Sequence, residues 1–322
     1  MRIVTLQRNV ADLSKVMPFP AEIDGIPEQA SDSEIAALLA PADAFLGAEL
    51  KAEWLAAKPA ALQLVQSVGA GYDAIACDAL PAGCTVCNVY GHDRAVAEHA
   101  FMMMLVLQKQ LFASDAALRR GDWGWSNRIQ SELRGRSLLI LGLGVIGREL
   151  VRWGKFFDMQ VSALTRTPSA ERAKLAGLSD AGGLDSLDSV LPNADFVVIA
   201  LPGLPETRDL IGERQLGLMK PTAFLVNVGR GPVVNEAALF DALQGRKIAG
   251  AGVDVWYEYP KPNESKLPST LPFQELNNIV MTPHNGGYTH ETMQHRWAAI
   301  AENFRRFAAG EPLLSVVYQR PK

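Results

Sequence analysis

Cysteine is scarce in this chain. Its 322 residues hold three thiols, Cys77, Cys84 and Cys87. Cys84-Thr85-Val86-Cys87 has the spacing of a zinc or redox pair, but no second pair and no neighbouring His pair completes a site. The three read as small apolar residues around a strand, and no metal is expected. A surplus of positive charge is missing as well: 31 Lys and Arg stand against 35 Asp and Glu, a net charge of −4, with no basic stripe. That balance argues against a nucleic-acid partner. Long apolar runs are also missing. The most apolar stretch, residues 95–107, contains Glu98 and His99 and runs into Gln108, Lys109 and Gln110. It is too short to span a bilayer and reads as a buried helix. The opening Met1 to Leu6 has neither the apolar core nor the cleavage site of a signal peptide and reads as a strand, so a cytoplasmic protein with no membrane partner is expected. No internal repeat or low-complexity segment is present.

What the chain does have is alternation. Its length favours two lobes over one ordinary core. Up to about residue 95, short apolar runs at 61–65 and 85–89 alternate with Ala-rich helical segments at 35–39 and 54–57. From about Ser137 the pattern becomes regular, with strand candidates at 138–141, 160–164, 196–200, 223–228, 249–255 and 278–282. Helical stretches such as 146–157 and 236–243 lie between them. Apolar strands alternating with helices predict an α/β fold with a parallel sheet covered on both faces. A helix over 96–118 is long enough to bridge the lobes, and a last helix over 291–309 carries the chain back. The Pro-, Ser- and Lys-rich stretch 260–272 reads as a surface loop.

The strand at 138–141 runs into Gly142-Leu-Gly144-Val145-Ile146-Gly147 and then an amphipathic helix. In that context Gly142 permits a tight turn, Gly144 lets the backbone approach a pyrophosphate, and Gly147 lets helix and strand pack closely. The helix start, with Val145 and Ile146, offers unpaired N–H groups to phosphates. A dinucleotide is therefore expected. A carboxylate for the ribose 2′-hydroxyl belongs about 20 residues on. Thr165, Arg166 and Thr167 stand there instead, which favours NADP, with NAD a possibility; the alternative is an arginine solvated in a loop. The other strands end in Leu201-Pro202 with Thr207 following, in Val228-Gly229-Arg230, at Asp254, and in Thr282-Pro283-His284-Asn285-Gly286. Ligands gather at these carboxyl ends, so the strand-end residues are expected to border the dinucleotide. Arg230 and His284 would then share its crevice. A cation for a carboxylate beside an acid with a pKa near 7 is what a 2-oxo acid needs. Taken singly, Arg230 could be a structural ion pair and His284 a core histidine.

These segments carry a resemblance. Val68-Gly-Ala-Gly-Tyr-Asp73, Val96-Ala-Glu-His99, Gly142 to Gly147, Leu201 to Thr207, Asn227 to Glu236, Gly252-Val-Asp254 and Thr282 to Gly287 follow in the order found in the D-isomer-specific 2-hydroxyacid dehydrogenases. The resemblance implies two Rossmann-like or flavodoxin-like parallel-sheet domains with the active site in the cleft between them. The substrate domain would be discontinuous, 1–95 plus 288–322, around a dinucleotide domain over 96–287, usually in a homodimer. It also implies that the backbone at Val68, Gly69 and Ala70 helps hold the substrate carboxylate, that Arg230 binds carboxylate and carbonyl, and that His284 is the acid/base. The expected activity is an NADP-preferring reductase of small 2-oxo acids, of the glyoxylate/hydroxypyruvate type. The rivals are a relative acting on formate or phosphite, and a non-catalytic dinucleotide sensor of the corepressor kind.

One segment departs from the family. Its members place a Glu directly before the proline that follows the Asp-Val-aromatic motif, and that Glu pairs with the histidine. Here the segment reads Asp254-Val-Trp-Tyr-Glu258-Tyr259-Pro260. Tyr259 holds the expected place and Glu258 comes one residue early, which turns a side chain in extended chain to the other face. Both are candidates to support His284, with Glu258 preferred because a loop can shift by one residue. His92 and Arg94 either bind a polar substrate tail or form surface ion pairs with Asp93 or Glu98.

Overall fold

The computed structural model describes residues 1–57, 59–178, 181–261 and 264–321. The chain divides into two compact units, Met1–Gly91 with Thr289–Lys322, and His92–Tyr288. Both are α/β. In chain order the strands are β1 (Arg2–Leu6), β2 (Glu22–Ile26), β3 (Ala44–Leu46), β4 (Leu64–Gln66), β5 (Thr85–Cys87), β6 (Ser137–Leu141), β7 (Gln160–Thr165), β8 (Gly182–Gly183), β9 (Phe196–Ile199), β10 (Phe224–Asn227), β11 (Gly250–Val253), β12 (Ile279–Met281) and β13 (Val316–Gln319).

The first unit is a six-stranded sheet ordered β13-β5-β4-β3-β1-β2. Its strands pair in parallel except β13, which lies antiparallel on β5. Strands this short hold because both faces are covered. Val4, Phe45, Val65 and Val86 pack with Ile35, Leu39 and Trp54 on one side. Ile3, Leu46, Leu64 and Cys87 pack with Ile300 and Phe304 on the other. The last two come from the helix His290–Ala309, which Thr289 caps by accepting from the Thr292 N–H and which Gly310 ends at φ 66°. Cys84 and Cys87 fall in opposite cores, so their thiols do not converge, and burial pushes each up to about 12.

The second unit is a seven-stranded, wholly parallel sheet ordered β12-β11-β10-β9-β6-β7-β8. Side chains alternate between two cores with the period of a strand: Leu139, Leu141, Val197 and Ile199 on one face, Leu138, Ile140, Phe196 and Val198 on the other. The order of strands reverses between β6 and β9, and such a switch point opens a crevice outside the carboxyl ends. The expected helix over 96–118 is two. Asp93–Lys109 stops at Gln110, which adopts a left-handed φ of 49° and returns its N–H to Val106 and Leu107, and Leu111–Leu118 begins anew. Both lie wholly in the second unit. Phe101 stacks there on Phe157 at 5.4 Å, and packing of this kind accounts for the apolar run. Of the loop 260–272, positions 262 and 263 lie outside the described residues. Among the described residues no helix is long and apolar enough to cross a membrane, and no group of acidic, His and Cys side chains could hold a metal ion.

Candidate active site

The glycine turn is built by what its residues lack. Gly142 has φ +104°, and a Cβ there would sit 2.7 Å from the Ala200 carbonyl oxygen. A Cβ on Gly147 would sit 2.0 Å from the carbonyl oxygen of Gly142, so only glycine lets the helix Val145–Phe156 start this close to β6. At Gly144 a Cβ would meet nothing within 4 Å. That helix has no side-chain cap. Its first N–H groups, with Val145 and Ile146 half-buried beside them, offer an anion the positive end of a 12-residue helix. Open space over an uncapped helix start fits a pyrophosphate.

At the end of β7, Thr165 is buried while Arg166 and Thr167 are exposed. The Arg166 guanidinium is not solvated alone: its Nη1 donates to Glu206 Oε1 at 2.6 Å. A carboxylate thus stands beside the end of the second strand after all, delivered from 40 residues away. Nothing in the residues that follow β7 signals this partner, because it lies 40 positions further along the chain.

Beyond β9 and β10 the loops lock together. Leu201, Val228 and Gly229 are buried, whereas Pro202 is exposed. A Cβ on Gly229 would lie 2.5 Å from the Leu201 carbonyl oxygen. The Thr207 hydroxyl, expected at the dinucleotide, is engaged within its own turn, donating to Pro202 O at 2.7 Å and accepting from the Leu204 N–H at 2.9 Å. Asn227 clasps the next turn, accepting from the Gly229 N–H and donating to the Arg230 carbonyl. Arg230 lays its aliphatic stem over Gly203, where a Cβ would sit 3.1 Å from Cγ, and its Nη1 donates to Gly229 O at 2.9 Å.

The turn after β12 is built by side chains. His284 takes a left-handed φ of 55°, a conformation costing about 1–3 kcal/mol outside glycine. Asp254, 2% exposed at the end of β11, holds the turn in place. It accepts from Thr282 Oγ1 at 2.6 Å and from the Asn285 and Gly286 N–H groups at 3.1 Å each. His99 Nε2 lies 3.5 Å from the same carboxylate and 3.0 Å from Thr282 Oγ1. Burial opposes ionisation of Asp254, but His99, Thr282 and the Gly286 N–H overcome it and pull the carboxyl down to about 2. The polarity of His99 inside a largely apolar helix is the signal in the sequence for this contact.

The imidazole of His284 meets Tyr259, not Glu258. Tyr259 Oη lies 3.0 Å from His284 Nδ1 and accepts from the Trp256 N–H at 3.1 Å, while Trp256 Nε1 donates to Thr282 O at 2.8 Å. Glu258 pairs instead with Lys266 at 2.8 Å, its backbone N–H tied to Pro268 O. The preference for Glu258 is thereby corrected: the loop 260–272 supplies its own cation and keeps the carboxylate. Desolvation holds His284 below its ordinary value; Asp254 opposes that shift and the charge of Arg230 adds to it. Arg230 also acts on Tyr259, whose hydroxyl burial raises. Arg230, Asp254, Tyr259 and His284 therefore form one electrostatic neighbourhood.

Val68, Gly69 and Ala70 follow β4 in the first unit. Asn88 Nδ2 donates to Ala70 O at 2.8 Å, and the Val89 N–H donates to Gly69 O at 3.1 Å. Arg94 is exposed on the first turn of Asp93–Lys109 in the second unit.

Residues 101–286 match the model of the D-isomer-specific 2-hydroxyacid dehydrogenase NAD-binding domain. The chain is similar to the glyoxylate reductase of Pyrococcus furiosus, 36% identical over 259 residues that make up 78% of this chain and 74% of that one. It is 35% identical to the D-3-phosphoglycerate dehydrogenase of Mycobacterium tuberculosis over 283 residues, 86% of this chain and 51% of that longer protein. Among solved structures it resembles the NADPH-dependent glyoxylate/hydroxypyruvate reductase of Sinorhizobium meliloti, in complex with NADP and malonate, with a TM-score of 0.83 at 26% identity over 99% of this chain and 97% of that one. With a dinucleotide turn, a histidine–arginine neighbourhood and a domain match over more than half its length, this chain belongs to the D-isomer-specific 2-hydroxyacid dehydrogenase family, oxidoreductases that act on a CH–OH group.

Proposed function

We propose that this protein reduces a small 2-oxo acid of the glyoxylate/hydroxypyruvate kind to its D-2-hydroxy acid, with NADPH preferred over NADH. The shared neighbourhood of Arg230 and His284, with the ring fixed by Tyr259, carries this reading. The chemistry that a dinucleotide would supply when held here is hydride for the carbonyl carbon. The glycine turn and helix start would hold its pyrophosphate, Arg166 with Thr165 and Thr167 its 2′-phosphate, and the strand-end residues Leu201, Val228, Asp254 and Gly286 its nicotinamide half. Arg230 would bind the substrate carboxylate and polarise the carbonyl.

With Nδ1 turned to Tyr259, His284 is left with Nε2 to exchange a proton with the substrate oxygen. A hydroxyl can donate to a neutral Nδ1 or accept from a protonated one, so Tyr259 orients the ring in both states without imposing a charge. Exposed Leu111, Phe112, Leu118 and Trp123 support a homodimer, which sedimentation would test. The central test is turnover of glyoxylate and hydroxypyruvate with each cofactor. Activity with NADPH above that with NADH is expected. Dinucleotide binding without turnover of any 2-oxo acid would leave a sensor in its place.

A further inference from the structure

Arg166 and Glu206 sit on the two flanks of the glycine turn. Arg166 directly follows β7, and Glu206 lies in the one-turn helix Pro205–Thr207 after β9. β7 and β9 are the neighbours of β6, which runs into Gly142. The two side chains meet at 2.6 Å with 56% and 51% of their surfaces exposed. Glu206 does not swing freely into this contact. A proline opens its turn, and the buried Thr207 hydroxyl ties that turn to Pro202 and Leu204.

In such a sheet the adenosine ribose lies at the end of the second strand. A carboxylate that reads the 2′-hydroxyl need not follow that strand in sequence; it has only to reach the same place. We propose that Glu206 is a cofactor-specificity residue, accepting from an unmodified ribose 2′-hydroxyl and opposing a 2′-phosphate that approaches Arg166. This rests on the reading that Arg166 faces the 2′ position. Without a phosphate the pair is neutral. A 2′-phosphate brings between one and two further negative charges against a single guanidinium. Arginine has five donors in a fork, so it can keep one edge on Glu206 and turn the other to the phosphate, but Glu206 repels that phosphate throughout. The pair therefore admits both dinucleotides and narrows the preference that an arginine alone would give.

Titration calorimetry of the full chain with 2′,5′-ADP and with 5′-AMP separates the two halves of this proposal. Glu206→Gln is expected to raise 2′,5′-ADP affinity about 5- to 30-fold and to weaken 5′-AMP up to a few-fold. A ratio of the two affinities that is unchanged in Glu206→Gln, or that moves towards 5′-AMP, overturns the role given to Glu206. Arg166→Ala addresses the underlying reading: 2′,5′-ADP affinity alone should fall. No fall there sinks the 2′-phosphate role of Arg166, while the ratio measured in Glu206→Gln still decides whether the carboxylate discriminates. Both side chains are at the surface, and melting temperatures near that of the parent check that the variants are folded.

Discussion

Two turns at the carboxyl ends of parallel strands do opposite things with their side chains. The turn at 142–147 exists because side chains are absent: a Cβ on Gly142 or Gly147 would collide with backbone oxygen, and Gly144 leaves open room. The turn at 282–286 exists because side chains are present. Asp254, Thr282 and His99 hold His284 in a left-handed conformation that its own Cβ disfavours. Clearing backbone of side chains suits a ligand grasped by N–H groups. Aiming one ring needs a tertiary network, and the network stores strain that the turn would shed without it. In the function proposed above, the second turn carries the chemistry and the first the docking.

The largest effect expected from breaking this comparison is on the histidine. His284→Ala should lower turnover about 10²- to 10⁴-fold while dinucleotide affinity persists. His284→Asn sharpens it, since asparagine tolerates the left-handed region. An equal loss in both variants assigns the effect to the imidazole. Near-parental activity in His284→Asn would show that only the shape of the turn matters.

Next in size is the glycine turn. In Gly147→Ala the new methyl would stand 2.0 Å from the Gly142 carbonyl oxygen, so helix and strand must move apart. Overpacking of this kind costs about 1–3 kcal/mol. Dinucleotide affinity should drop and thermal stability should fall with it. Gly144→Ala has open space around its Cβ and should leave stability nearly unchanged while weakening the dinucleotide, because the methyl enters the room left for phosphate. Loss of stability in Gly144→Ala with affinity intact would reverse the roles given to these two glycines.

The same contrast explains what could be read beforehand. The glycine turn is a local requirement, and β6, β7 and β9 to β12 announce themselves as apolar runs, so the strands of the second sheet were legible, while their order in the sheet was not. Arg230 and His284 were legible because residue type and strand-end position suffice to nominate them. Features made by distant partners were not. Glu206 reaches Arg166 across 40 residues, and Asp254 reaches Thr282 across 28. The break at Gln110 carries no glycine to mark it. β2, an edge strand reading Glu-Ile-Asp-Gly-Ile with only Ile26 fully buried, shows too little apolar pattern to declare itself.

The smallest effects concern the residue beside the ring, where register alone left two candidates. Tyr259 contributes one hydrogen bond to His284, so Tyr259→Phe should cost about 5- to 30-fold in turnover, the worth of 1–2 kcal/mol. Glu258→Gln removes only a partly exposed pair with Lys266 and should stay within about twofold of the parent. The pH profiles carry the sharper information. Reduction needs the protonated ring, and desolvation with the Arg230 charge holds His284 below its ordinary value. Reduction should therefore decline as pH rises through a limb lying below the about 6.5 of an unperturbed histidine, and oxidation, which needs the neutral ring, should gain through the same limb. Glu258→Gln should leave that limb where it is. Tyr259→Glu restores a negative charge at the hydrogen-bonding position, favours the imidazolium, and should carry the limb to higher pH, extending reduction towards neutrality. A limb that shifts in Glu258→Gln and stays fixed in Tyr259→Glu would return the supporting role to Glu258 and undo the pairing seen here.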